Sequence, residues 1–264
     1  MIAHLVYKKC VEAINKKQFI KRESSNDKEF HFQNWFIKRL DEAKLNYDNP
    51  GRNSYPDFTL VDYTDGFELK GLAYPGRVND YDSNSQVPKG ILNGRSIYYV
   101  FGRYPSKPDG NEFPVLDLVI CHGSFLNADS AYVHKNKSAK GFGSYGDIMI
   151  RDRKMYVAPT PFSLVDGLAH QLTLIVPESE KESLASDAEL VQVGELTRVE
   201  TSELLVSYSF DLTNNDLNVK KVPNPTSGKE HKFIALRMVN SPSSPIKMRN
   251  LEEVIESLDD INDE

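Results

Sequence analysis

Pro56-Asp57-Phe58-Thr59-Leu60-Val61-Asp62-Tyr63-Thr64-Asp65-Gly66-Phe67-Glu68-Leu69-Lys70 is the stretch on which the reading of the fold turns. β-Branched and aromatic residues run on either side of Thr64-Asp65-Gly66, whose types favour a turn. The pattern predicts a strand over 57–63, a turn over 64–66 and a second strand over 67–73, that is, a hairpin. Side chains alternate across a strand, so Phe67 and Leu69 point to one face and Glu68 and Lys70 to the other. Asp57 opens the first strand, with ten residues between it and Glu68, and pairing brings it towards that carboxylate.

The chain around the hairpin alternates between two kinds of pattern. Upstream, Val6, Cys10, Ala13 and Ile14 predict one amphipathic helix over 5–19, and Phe30, Trp35, Phe36 and Leu40 predict another over 27–43. Ser25, Asn26 and Asp27 supply start signals for the second, Glu29 lies in its first turn, and Asn49-Pro50-Gly51 breaks the chain after it. Downstream, residues 97–102, 115–121, 147–150, 154–158 and 171–176 read as strands. A helix is expected over 180–190, strands over 204–212 and 231–239, and loops over 223–228 and 241–245. Leu251, Val254, Ile255, Leu258 and Ile261 fall on one side of a final helix. The expectation is one α+β domain over 1–264: helices in 5–45, a mixed central sheet in 51–176, and a C-terminal portion in 177–264.

Composition narrows the function classes. With 39% hydrophobic and 27% charged residues over 264 positions, the chain can bury a core and is neither disordered nor fibrous. No apolar run approaches the roughly 18 residues that cross a bilayer, and the opening residues lack a secretory pattern, so a cytoplasmic protein without a membrane partner is expected. Cys10 and Cys121 are too few for a disulfide framework or a cysteine-based zinc site. The net charge of −6 conceals a gradient. Seven acids and no base lie in 251–264, and eight acids face Lys181 and Arg198 alone in 178–203. What precedes residue 178 holds 23 bases against 20 acids, mildly suited to a polyanion.

The hairpin carries the chemistry. Two adjacent carboxylates repel unless a cation lies between them, and hard oxygen donors suit Mg²⁺, which keeps waters and binds phosphate oxygens. An ammonium beside them can orient the attacking water, which makes an apparatus for metal-assisted phosphodiester hydrolysis. In these residues, Pro56-Asp57 followed by Glu68-Leu69-Lys70, the chain resembles the PD-(D/E)XK nuclease superfamily, and within it the type II restriction endonucleases. The resemblance implies a restriction-endonuclease-like mixed sheet flanked by helices and a Mg²⁺-dependent cut of double-stranded DNA, with Mn²⁺ able to substitute. It also implies a homodimer that cuts both strands, with a cognate DNA methyltransferase as genetic partner. Carried over position by position, Asp57 and Glu68 are metal ligands, the Leu69 carbonyl joins them, Lys70 positions the water, and Glu29 is the helix acid that completes the set. Alternatives with the same motif are a repair, junction-resolving or modification-dependent nuclease, and an inactive nuclease fold that only binds DNA.

The loop after the second strand, 74–86, is rich in side chains that hydrogen-bond base edges. Arginine suits guanine, and Asn or Gln suits adenine. Arg77, Asn84, Gln86 and Lys89 are the expected DNA contacts, with Lys135, Lys137 and Lys140 on the backbone from a glycine-bearing loop. Gly141-Phe142-Gly143-Ser144-Tyr145-Gly146 fits a dinucleotide fingerprint but is followed by a strand pattern where a helix is required. The six histidines lack zinc-site spacing, and no serine nucleophile elbow is present.

Overall fold

The computed structural model describes residues 1–22, 30–48, 54–76, 79–82, 87–107, 110–128, 149–151, 155–211, 213–214, 216–241 and 244–249. The expected site residues Glu29, Arg77, Asn84, Gln86, Lys135, Lys137 and Lys140 lie outside them, as do the glycine-bearing loop and the final helix.

Nine strands form one mixed sheet: β1 (Tyr47–Asp48), β2 (Phe58–Leu60), β3 (Asp65–Tyr74), β4 (Ile91–Leu92), β5 (Arg95–Pro105), β6 (Asp117–His122), β7 (Leu172–Pro177), β8 (Leu190–Val199) and β9 (Glu230–Met238). Their spatial order is β8-β9-β7-β6-β5-β3-β2-β1, with β4 pairing on β5. β3 with β5 and β6 with β7 are parallel, and the remaining pairs are antiparallel. The predicted hairpin forms, with Phe58 opposite Phe67 and Thr59 opposite Gly66. Its turn falls at 61–64, earlier than the sequence suggests, because Arg95 Nη1 donates to the carbonyls of Leu60 and Tyr63, both at 2.7 Å, and Ser96 N–H donates to Thr64 O.

Both faces of the sheet are covered. Helices α1 (Ala3–Asn15) and α2 (Phe30–Glu42) lie on the first. α1 buries Val6, Tyr7, Cys10 and Val11, and α2 buries Phe32, Trp35, Phe36 and Leu40, the spacing of a single helical stripe. They pack on Phe67, Leu69, Tyr98, Val100, Leu118, Ile120 and Leu174. Phe36 sits between Phe58 and Phe67, with ring centroids 6.0 and 5.4 Å away. Truncating a ring so placed costs about 3–5 kcal/mol. The start of α1 has no local side-chain cap; Asp65 Oδ2, at the head of β3, accepts the backbone N–H groups of Ile2 and Ala3 at 2.6 and 3.0 Å. This places a carboxylate at the positive end of the helix dipole.

The second face packs Tyr99, Phe101, Val119, Cys121, Ile175 and Ala235 against Tyr81, Phe125, Phe162, Leu164 and Ile246. Tyr81 comes from the short strand Asp80–Asp82, which pairs with Met155–Pro159 and through it with Met149–Arg151. Cys10 and Cys121 are buried free thiols whose pKa burial raises.

The helix expected over 180–190 is confined to a 3₁₀ turn, Glu178–Glu180, and one helical turn, Lys181–Leu184, and Leu190 already begins β8. Between β8 and β9 the chain runs out as an antiparallel ribbon of Glu203–Phe210 and Leu217–Pro223. A notch in the sheet seats α2. Gly71 of β3 faces Gly102 of β5, and a methyl group at 102 would stand 2.3 Å from the ring of Phe32. Among the described residues no helix is long and apolar enough to cross a membrane.

Candidate active site

Asp57, Glu68, Leu69 and Lys70 gather where β2 begins and β3 runs alongside it. The ladder between the two strands reaches Phe58–Phe67, so its continuation sets Asp57 against Glu68. Pro56 has no N–H with which to extend the ladder. Asp57 supplies an acceptor there instead: its Oδ2 accepts the Leu69 backbone N–H at 2.7 Å. Its Oδ1 accepts Gln33 Nε2 at 3.2 Å, so α2 and β3 hold the carboxylate between them.

Alternation along β3 works as read from the sequence. Phe67 and Leu69 enter the helix-side core, while Glu68 and Lys70 share the opposite face, where Lys70 Nζ lies 2.8 Å from Glu68 Oε1. The two side chains are only 20% and 13% exposed. Glu68 Oε2 is buried and has no hydrogen-bond partner among the described residues. A carboxylate oxygen left so costs about 1–3 kcal/mol or more, and it is free among the described residues to serve as an oxygen ligand. Behind the pair stands an aromatic wall. The Tyr81 ring centroid is 5.9 Å from Lys70 Nζ, and the Tyr55 and Tyr99 hydroxyls are 3.1 Å apart. Burial, with the neighbouring Tyr55, Tyr81 and Glu68, holds the Tyr99 hydroxyl far above its ordinary pKa, so it stays a neutral donor and acceptor.

The donor set fits a hard divalent cation: the orphaned Glu68 oxygen, the Asp57 carboxylate and the adjacent Leu69 carbonyl are all oxygen ligands, and Mg²⁺ takes one or two carboxylates with waters. No cluster of three His, Cys, Asp or Glu side chains suited to a metal occurs among the described residues. Of the expected DNA contacts, Lys89 alone is described. It is half-buried in a segment whose carbonyl lies so close to Gly123 that a Cβ there would stand 1.9 Å from it.

Sequence reasoning missed two members of this arrangement. Gln33, four positions after Glu29 in the sequence, is the residue α2 presents to Asp57, and only the i, i+4 spacing from the expected helix acid hinted at it. Tyr81 was read as part of a polar loop; its place under Lys70 depends on pairing with a strand more than seventy residues away in sequence. Compared with protein families, curated proteins and solved structures, the chain found no match.

Proposed function

We propose that this chain is a Mg²⁺-dependent endodeoxyribonuclease of the type II restriction class. The observation that carries the reading is the buried Glu68 oxygen beside Lys70, without a hydrogen-bond partner among the described residues, on the strand whose next backbone N–H is held by Asp57. When bound, the cation polarises the scissile phosphate and makes water a better nucleophile at neutral pH. The chain's own groups set the geometry. Asp57 is oriented by Gln33 and the Leu69 N–H, Glu68 offers its free oxygen, and Lys70 hydrogen-bonds the attacking water while Tyr81 backs its ammonium. Double-stranded DNA is held by Arg77, Asn84, Gln86 and Lys89, with Lys135, Lys137 and Lys140 on its backbone. Two copies cut the two strands, and a methyltransferase protects the host site.

Cleavage of supercoiled plasmid in Mg²⁺ and in EDTA tests this. Discrete fragments are expected from the unaltered chain in Mg²⁺ only, with rates lowered at least about a hundredfold by Asp57→Ala, Glu68→Gln or Lys70→Met. In parallel, Mg²⁺ should raise the melting temperature of the unaltered chain but not that of Glu68→Gln, because a ligand that binds only the folded state stabilises it. Equal cutting by Asp57→Ala refutes the assignment. Cutting confined to branched or methylated DNA points to the repair or modification-dependent class, and binding without cutting to an inactive fold.

A further inference from the structure

Away from the hairpin, a second pair of side chains is arranged for chemistry. β6 ends at His122, and the chain turns at once into a 3₁₀ segment, Gly123–Phe125. The turn is tight, because a Cβ at Gly123 would run into the Lys89 carbonyl. His122 is buried, with its ring edge-on to Tyr98 and the centroids 5.2 Å apart. Its Nδ1 lies 2.6 Å from Ser124 Oγ. The Ser124 N–H also donates to Nδ1, at 3.4 Å, so that nitrogen carries no proton and the hydroxyl is the donor in the short contact. A ring that only capped the turn would be satisfied by the N–H; here the hydroxyl makes the closer approach. The Gly90 carbonyl accepts a hydrogen bond from the ring, which keeps the ring proton on Nε2.

Ser124 lines a pocket of about 530 Å³. The pocket lies beyond the carboxyl ends of the parallel strands β6 and β7, a common ligand position in sheet proteins, with the first residues of β9 on its other side. Phe233 of β9 packs edge-on against Phe125, next to Ser124, and His231 precedes it by two residues on the same face. His231 Nε2 is 2.7 Å from Glu200, a buried carboxylate that orients the ring. Glu178 and Glu230 border the pocket with Lys232, and all three are exposed. Two carboxylates against one ammonium repel a phosphate anion and tolerate an uncharged carbonyl.

We propose that Ser124 is a nucleophile, that His122 is its base, and that the pocket takes an uncharged, activated carboxylic ester. Ser124 Oγ bonds to the carbonyl carbon while its proton passes to His122 Nδ1. The bond from that carbon to the leaving alcohol then breaks, and the alcohol takes the proton from His122. Water cleaves the acyl-serine by the same route, releasing the acid and restoring the hydroxyl. Burial lowers the His122 pKa to about 4, so the ring is a neutral acceptor at neutral pH. So weak a base drives proton transfer poorly, which restricts the substrate to one with a good leaving group and excludes amides. None of these groups belongs to the proposed nuclease site, so the two readings stand or fall separately.

Reaction of the full chain with an uncharged fluorophosphonate, and separately with p-nitrophenyl acetate, tests this. The folded chain should take one phosphonyl adduct, mapped to Ser124 by mass spectrometry, and the chain in concentrated urea none. EDTA should change neither reaction. Ser124→Ala should lose the adduct and the ester hydrolysis, and His122→Gln should slow both at least about a hundredfold. Circular dichroism checks that His122→Gln is folded. Should it unfold, Ser124→Cys decides: its thiol should react with iodoacetamide in the folded chain while the buried Cys10 and Cys121 do not. The proposal is overturned by no adduct on the folded chain, an adduct elsewhere, or equal labelling in urea. A folded His122→Gln chain that reacts at full rate, or an inert thiol in Ser124→Cys, also overturns it.

Discussion

Two acid–base pairs stand on the same sheet, and they are built differently. Asp117 of β6 and Arg103 of β5 are almost wholly buried, with bonds of 2.9, 2.9 and 2.7 Å, and the His170 N–H donates to the same carboxylate at 2.9 Å. Arg103 is also stacked on Tyr74 and Phe162, its guanidinium carbon 4.9 and 4.6 Å from the ring centroids. Glu68 and Lys70 on β3 share one contact, and among the described residues one carboxylate oxygen is left over. A pair that is complete in itself serves the fold, whereas the pair with an oxygen left over is the one on which the proposed function draws.

The sharpest way to break the contrast is Asp117→Ala, which strands a buried guanidinium. It should cost about 3–5 kcal/mol in urea unfolding, and a loss well under that range would mean the pair is not structural. Lys70→Met removes the only hydrogen-bond partner of Glu68 among the described residues and should cost about 1–3 kcal/mol without Mg²⁺, with part regained on adding the ion.

Glu200, at the root of the ribbon, extends the comparison to pH. Burial raises its pKa, but hydrogen bonds from Thr226, His231 and Asn224 outweigh burial and leave it below the ordinary 4.5. Its contribution is therefore complete above that value and is lost as pH falls through the lowered one. Acid unfolding should steepen there by up to about 1.4 kcal/mol per pH unit, the slope of one proton, and Glu200→Gln should remove that component. Gln33→Leu takes one hydrogen bond from Asp57 and should cost about 1 kcal/mol or less. Under the proposed function it should lower cleavage while leaving the DNA dissociation constant unchanged.

The hairpin was readable because its information is local. Phe67 and Leu69 alternate with Glu68 and Lys70, and that alternation survives in the structure. The helix stripes of Val6, Cys10 and Ala13 and of Trp35, Phe36 and Leu40 were legible for the same reason. β8 was not. Val191, Val193 and Val199 favour a strand, but a bulge between Gln192 and Gly194 breaks the two-residue period, and the acidic run before it resembles a helix. Leu217–Pro223 was missed because its lysines and asparagine dilute the apolar signal. Gln33, Tyr81 and the burial of Arg103 with Asp117 depend on contacts between distant segments, for which no short stretch of sequence carries a mark.

The glycine notch under Phe32 makes the empty space at position 102 part of the site's alignment. Phe32 and Gln33 are consecutive on α2, so whatever lifts the ring also tilts the amide off Asp57. Gly102→Ala would act as a wedge under a lever: one added methyl group, on a strand that carries none of the site's charged groups, would be felt as a detuned carboxylate. Searches for residues that govern this site should therefore include positions whose contribution is the atoms they lack.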